Sequence, residues 1–124
     1  MSCARRLRCV GLVLSTGFLA IAGTGCGGSC KLYASPSLRV HVVDAAGAPV
    51  CEATVVARDG SFSEALRGLP GDASTPCVFT GPMERVGTYR IDVSARGATA
   101  TATAKVSADS CHVRTQDVTV ALAA

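Results

Sequence analysis

Tryptophan is absent from this 124-residue chain, and aromatic residues of all kinds make up only 4% of it. Hydrophobic residues nevertheless account for 48%, so the apolar content is mostly alanine and valine. Small side chains bury little area each, and a core built from them gains stability from covalent crosslinks. The length allows one domain with one core.

A basic surface is also lacking once the first eight residues are set aside. The formal net charge is +3, and Arg5, Arg6 and Arg8 account for it, because the other nine basic side chains are balanced by nine acidic ones. Nucleic-acid binding depends on a clustered basic face. The composition therefore predicts no nucleic-acid partner.

The N-terminal segment has the layout of a signal peptide. Residues 1–8 carry three arginines and no acid, and a largely apolar run follows from Cys9 to Ala22. A membrane-spanning helix needs about 20 apolar residues, and this run is shorter. We therefore interpret residues 1–25 as an export signal, with an uncleaved anchor helix as the alternative.

The residues before Cys26 read Ala22-Gly23-Thr24-Gly25. This resembles the lipobox of bacterial lipoproteins, in which small residues precede a cysteine that is diacylated and becomes the N-terminus. Gly23 departs from the pattern, because a larger aliphatic residue is usual at that place. The resemblance implies a lipid on Cys26 and display at the cell envelope, on the outer membrane or the cell surface. Simple signal-peptide cleavage, giving a secreted protein, is the alternative.

Seven cysteines in an exported protein indicate disulfide bonds. Two of them lie in the signal segment, and acylation of Cys26 leaves an even set with three connectivities: Cys30, Cys51, Cys77 and Cys111. A zinc site, with His41 and His112 as further ligands, is the competing interpretation. No paired C-x₂₋₄-C spacing supports it, so we predict no metal and no other cofactor.

From Leu38 onward apolar and polar residues alternate, which is typical of strands with one buried face. The predicted strands cover residues 38–42, 52–58, 61–66, 77–80, 88–96, 98–106 and 116–122, with a breaker-rich loop over 67–76. The fold class is therefore all-β, a small antiparallel β-sandwich of about seven strands. We assign it to residues 37–124 and interpret residues 26–36 as a tether.

The dipeptide Asp59-Gly60 suits a two-residue hairpin turn. Such a turn places Cys51 across from about Gly68. The next predicted strand begins with Cys77 at this same end of the hairpin. A Cys51–Cys77 bond is then geometrically reasonable and leaves Cys30 for Cys111. A Cys51–Cys111 bond is the main competitor.

The strand 98–106 carries a row of threonines, Thr99, Thr101 and Thr103. A ligand-binding face is one interpretation of this row. Threonine is also ordinary on a solvated sheet surface, because its β-branched side chain suits strands. We favour the second interpretation.

Two segments resemble carboxypeptidase regulatory-like domains, which share a transthyretin-like, prealbumin-type sandwich. The first is similar to the family's Asp-x-x-Gly-x-Pro-Val turn and the Ala-Thr-Val strand after it, on Asp44, Gly47, Pro49, Val50, Ala53, Thr54 and Val55. The second resembles the G-x-Y-x-(apolar)-x-V-x-A-x-G strand, on Gly87, Tyr89, Ile91, Val93, Ala95 and Gly97. The resemblance covers about residues 37–122, and a cysteine-bearing variant replaces the family's usual strand at 77–86.

The resemblance implies a non-enzymatic accessory or binding module, because members of this family act as accessory domains and none of the matched motifs is catalytic. Its partner would be an envelope protein or a glycan. A structural envelope protein that self-associates is one alternative, and a transthyretin-like hydrolase is another. Such hydrolases use histidines, an arginine and a C-terminal Tyr-Arg-Gly-Ser motif, whereas this chain ends Val-Ala-Leu-Ala-Ala. Loops carry function more often than strands, so residues 84–87 and 67–76 are the predicted contact segments.

Overall fold

The computed structural model describes residues 30–72 and 76–123. This part of the chain forms eight strands: β1 (Pro36–Val43), β2 (Thr54–Asp59), β3 (Phe62–Ala65), β4 (Arg67–Leu69), β5 (Val78–Met83), β6 (Gly87–Ala95), β7 (Ala98–Val106) and β8 (Gln116–Ala121). They build two four-stranded sheets, ordered β4-β5-β1-β8 and β3-β2-β6-β7. The predicted all-β sandwich is confirmed.

The core lies between the two sheets and consists mainly of aliphatic side chains. The alternation predicted for β6 is confirmed, because Tyr89, Ile91, Val93 and Ala95 are all buried. Tyr89 is the largest fully buried side chain. On β8, the alternation of residues 116–122 predicts that Val118 and Val120 both face the core, but only Val120 is buried and Val118 is partly buried.

One strand pair is not antiparallel. β8 runs parallel to β1, from Leu38 opposite Gln116 to Val43 opposite Ala121. Parallel neighbours cannot be joined by a short hairpin, and here six intervening strands of both sheets connect them. The alternation of apolar residues predicts strands but not their direction, so the sequence did not reveal this pair.

The hairpin between β2 and β3 turns one residue later than predicted. Asp59 pairs with Phe62, so the two loop residues are Gly60 and Ser61. Gly60 has a φ of +57°, and glycine at the first loop position suits a type II′ turn. Asp59 is therefore the last residue of the strand.

Part of the predicted 67–76 loop is a strand. β4 pairs with β5, with Arg67 opposite Thr80 and Leu69 opposite Val78. β5 also extends three residues beyond its predicted end at residue 80, to Met83, and includes Pro82. β4 does not reach Pro82, because its last pair on this side is Arg67 with Thr80. The missing N–H of this proline therefore removes no hydrogen bond between β4 and β5.

Candidate functional site at the Cys30 end

Two disulfide bonds close the domain. Cys51 is bonded to Cys77, with 5.7 Å between their Cα atoms, and Cys30 is bonded to Cys111, with 5.3 Å. These are the pairs that the sequence favours, and the competing Cys51–Cys111 bond is not formed. Bonds of this kind persist in oxidising compartments, so they indicate an extracytoplasmic protein. Cys26, the predicted lipid attachment site, lies outside the described residues, as does the predicted signal segment.

Glu84 lies directly after β5 and bonds to two distant parts of the chain, Ser35 and the turn at His112 and Val113. Its carboxylate accepts hydrogen bonds from the backbone N–H of Ser35 at 2.7 Å and from that of Val113 at 3.1 Å. Oε1 also lies 2.6 Å from Nδ1 of His112, and the backbone N–H of Glu84 donates to the carbonyl of Ser35. These bonds hold the pKa of Glu84 below its usual value, the one from Ser35 first and then that from His112.

His112 joins the N-terminal segment to this carboxylate. Its Nε2 lies 2.9 Å from the carbonyl oxygen of Lys31, and its ring stacks on Tyr33 with the centroids 5.2 Å apart. Both ring nitrogens face oxygen atoms that only accept hydrogen bonds, so the doubly protonated, cationic ring satisfies both contacts. The hydrogen bond to Glu84 is the main cause that raises the pKa of His112. We call Lys31, Tyr33, Ser35, Glu84 and His112 the Glu84 clasp.

The turn that presents His112 is ordered by Asp109. Its carboxylate accepts the backbone N–H groups of Cys111 at 2.8 Å and His112 at 2.9 Å. These two bonds lower the pKa of Asp109, the bond from His112 being the larger cause. Asp109 thus orders the turn that carries both Cys111, which is bonded to Cys30, and the stacked side chain of His112.

The clasp changes the interpretation of residues 30–36, which the sequence predicts to be part of a tether. A disulfide bond, the Glu84 contacts and the first residue of β1 all hold this segment to the sandwich. Residues 30–36 therefore belong to the folded domain. The domain therefore begins at least seven residues earlier than the predicted boundary at residue 37.

A second network lies next to the clasp and is centred on Arg85. Its guanidinium carbon is 3.8 Å from the centroid of the Phe62 ring, and Nη1 is 2.9 Å from Asp59 and 3.0 Å from the Tyr89 hydroxyl. That hydroxyl donates to the carbonyl of Arg85. Buried Ser37 donates to the same carbonyl and accepts the N–H of Arg85. The predicted contact segment 84–87 is thus fixed at its first two residues and exposes Val86.

The two histidines have different surroundings. His41 lies on β1, where its Nε2 is 3.9 Å from Asp117, whereas His112 belongs to the clasp. Within residues 30–72 and 76–123, no group of three or more His, Cys, Asp or Glu side chains is placed to hold a metal ion. The four cysteines that the zinc alternative would use as thiolate ligands are all in disulfide bonds.

Two other surface features lie away from the Glu84 clasp. A cavity of about 300 Å³ lies at the opposite end of the sandwich, between the turn after β1 and the Arg96-Gly97 hairpin. The row of Thr99, Thr101 and Thr103 is exposed on β7, and Thr101 contacts Asp92, which also pairs with Arg58. Beside the cavity, Asp44 accepts backbone N–H groups and Arg96 pairs with Glu52, so both charges already have partners within the domain.

No protein-family model matches this chain, and no curated protein matches it. In the part of the chain that the structure covers, no helix is long and apolar enough to span a membrane. The fold and the disulfide bonds therefore show only the structural class of the protein, which is a small, two-sheet, all-β sandwich with two disulfide bonds.

Proposed function

We propose that this protein is a non-enzymatic accessory or binding module, exported and displayed at the cell envelope by a lipid on Cys26. The pairing of the cysteines in disulfide bonds is the main support for this proposal. The four that the structure describes are paired with one another, which leaves Cys26 with no partner among them. Cys26 also follows the lipobox-like residues Ala22-Gly23-Thr24-Gly25, the place of the cysteine that lipoprotein processing modifies.

The resemblance to carboxypeptidase regulatory-like domains supports the accessory role. The matched turn has a physical function in the fold, because Asp44 Oδ1 accepts the N–H groups of Ala46 and Ala48. Gly47 has a φ of +83°, a conformation that glycine adopts without strain. Tyr89, in the second matched segment, anchors the core and the Arg85 network. Both roles are architectural.

The anchor is tested by mass spectrometry of the mature protein from a membrane fraction. We expect an N-terminal Cys26 that carries a diacylglyceryl group, and loss of membrane attachment in Cys26→Ser. An unmodified Cys26, or cleavage at another position, would refute the lipid anchor. The binding role is tested by crosslinking in intact cells, with capture of an envelope protein or a glycan as the expected result.

A structural protein that self-associates is the second candidate, and β7 favours it. This nine-residue strand is at the edge of its sheet and contains no proline, which often blocks pairing at an edge. Its only charged side chain is Lys105. In the same crosslinking experiment, a product that contains only this chain would favour the second candidate.

A further inference from the structure

The exposed apolar side chains of the described residues are concentrated at one end of the sandwich. Leu32 is fully exposed, and Tyr33, Met83 and Val86 each expose more than half of their surface. Only one other large hydrophobic residue in the described part, Leu69, is classed as exposed. Single exposed hydrophobic residues are normal, but four at one end of a small domain indicate a contact surface.

The strand pairing brings these residues together. β1 begins where β5 ends, with Pro36 opposite Met83, and Glu84 bonds to Ser35. Tyr33 stacks on His112 at the same end. The opposite end carries the turn that contains Ala48, and β1 separates the two ends by about 26 Å for its eight residues. We call Leu32, Tyr33, Met83 and Val86 the apolar rim.

We infer that the apolar rim lies against the headgroup region of the bilayer that holds Cys26, an inference that rests on the proposed lipid anchor. Only three residues separate Cys26 from Cys30 in the sequence. Four peptide steps span at most about 14 Å. Because Cys30 is bonded to Cys111, the chain is fixed to the domain at Cys30, two residues before Leu32 of the apolar rim.

The side chains of this end suit a lipid surface. Leu32, Met83 and Val86 are aliphatic or thioether groups that gain from leaving water, and a tyrosine ring at the headgroup level keeps its hydroxyl wet. Lys31 is exposed beside Tyr33, with Nζ 5.9 Å from the ring centroid, and its amine suits lipid phosphates. The bilayer is therefore the one occupant that matches both the chemistry and the position of Cys26.

The test uses the full-length precursor, expressed so that it is processed and inserted in cells. A photoreactive phenylalanine analogue replaces Leu32, Met83 or, as the matched control, Ala48, which is exposed at the opposite end. We expect phospholipid adducts at positions 32 and 83 after irradiation, and none above background at position 48. In the protein labelled at position 83, the additional change Leu32→Asp is expected to reduce the adduct. Peptide mapping of both disulfide bonds verifies that each variant folds.

The outcomes separate this inference from the proposed function. An acylated Cys26 with equal adducts at positions 32 and 48, or with none at position 32, would overturn the orientation and leave the anchor in place. Adducts at position 32 to another protein or to a second copy would likewise overturn it, because the rim would be a protein interface. If mass spectrometry finds Cys26 unmodified, the anchor fails first and this inference fails with it.

Discussion

His112 Nδ1 lies 2.6 Å from Glu84 Oε1, across 28 residues of sequence, and this pair holds the first residues of the domain in place. Glu84 is about one-third exposed and His112 one-fifth. Water therefore screens the pair in part, and the two groups remain able to exchange protons with the solvent. The contact thus makes the attachment of the N-terminal segment depend on pH.

The first prediction is that this segment is held most firmly between about pH 4.3 and 6.5, the ordinary pKa values of glutamate and histidine. The fold raises the pKa of His112, so its contribution is complete below the unfolded value and is lost as the pH rises through the raised value. The fold lowers the pKa of Glu84, so its contribution is complete above the unfolded value and is lost as the pH falls through the lowered one.

Hydrogen exchange of the Ser35 and Val113 amides, which both donate to Glu84, measures this effect. After correction for intrinsic exchange, protection at pH 5.5 should exceed protection at pH 8. His112→Gln should remove most of the difference, whereas His41→Gln should retain it. Equal protection at both pH values in the unmodified protein would contradict the prediction.

The second prediction ranks the two disulfide bonds. They close loops of 26 and 81 residues. The chain-entropy model then gives losses of about 3.5 kcal/mol for Cys51→Ser with Cys77→Ser and about 4.5 kcal/mol for Cys30→Ser with Cys111→Ser. Urea unfolding of each double variant measures the free energies of unfolding. A larger loss from the Cys51–Cys77 pair would show that packing around the bond outweighs loop closure.

The sequence predicts those parts of the fold that depend on local patterns. β6 alternates strictly from Tyr89 to Ala95 and β7 follows it after Arg96-Gly97, so both strands were predictable. β4 was not, because a three-residue strand at a sheet edge leaves no periodic signal and Gly68 reads as part of a loop. The direction of β8 was hidden for a different reason, since it depends on how distant strands meet.

The candidate site was less accessible to sequence reasoning than the fold. The hairpin argument favoured the disulfide pairs because it needs only neighbouring strands. The Glu84 clasp instead joins residues 49 and 28 positions apart, and none of its members belongs to a recognisable motif. The one available signal was the run Lys31-Leu32-Tyr33, whose large apolar residues are unusual in a segment expected to be a solvated tether.

The third prediction concerns Gly87, the first residue of β6. A Cβ atom at this position would meet the carboxylate of Asp59, with Nη1 of Arg85 also close. Gly87→Ala must therefore move the partly exposed Asp59 carboxylate away from Arg85, and we expect a loss of up to about 1 kcal/mol, as for other partly exposed ion pairs. Thermal unfolding measures it, with the exposed neighbour Thr88→Ala as the control. A stability loss no greater than that of the control would contradict the close approach.

The fourth prediction tests the Arg85 network through the hydroxyl of Tyr89. This group donates to the carbonyl of Arg85 at 2.9 Å and accepts from its guanidinium at 3.0 Å, next to the core. Tyr89→Phe keeps the buried ring and removes both hydrogen bonds, while Ser37 still donates to the Arg85 carbonyl and Asp59 still accepts from the guanidinium. We therefore expect a loss of about 0.5–1.5 kcal/mol in the free energy of unfolding.

Tyr33→Phe is the matched control, because Tyr33 is exposed and contacts His112 through its ring. Its loss should be much smaller than that of Tyr89→Phe in the same urea titration. Because Ser37 bonds to both the N–H and the carbonyl of Arg85, the double variant Tyr89→Phe with Ser37→Ala should show coupling. Strict additivity of the two losses would show that the hydroxyls act separately and would contradict a shared network around Arg85.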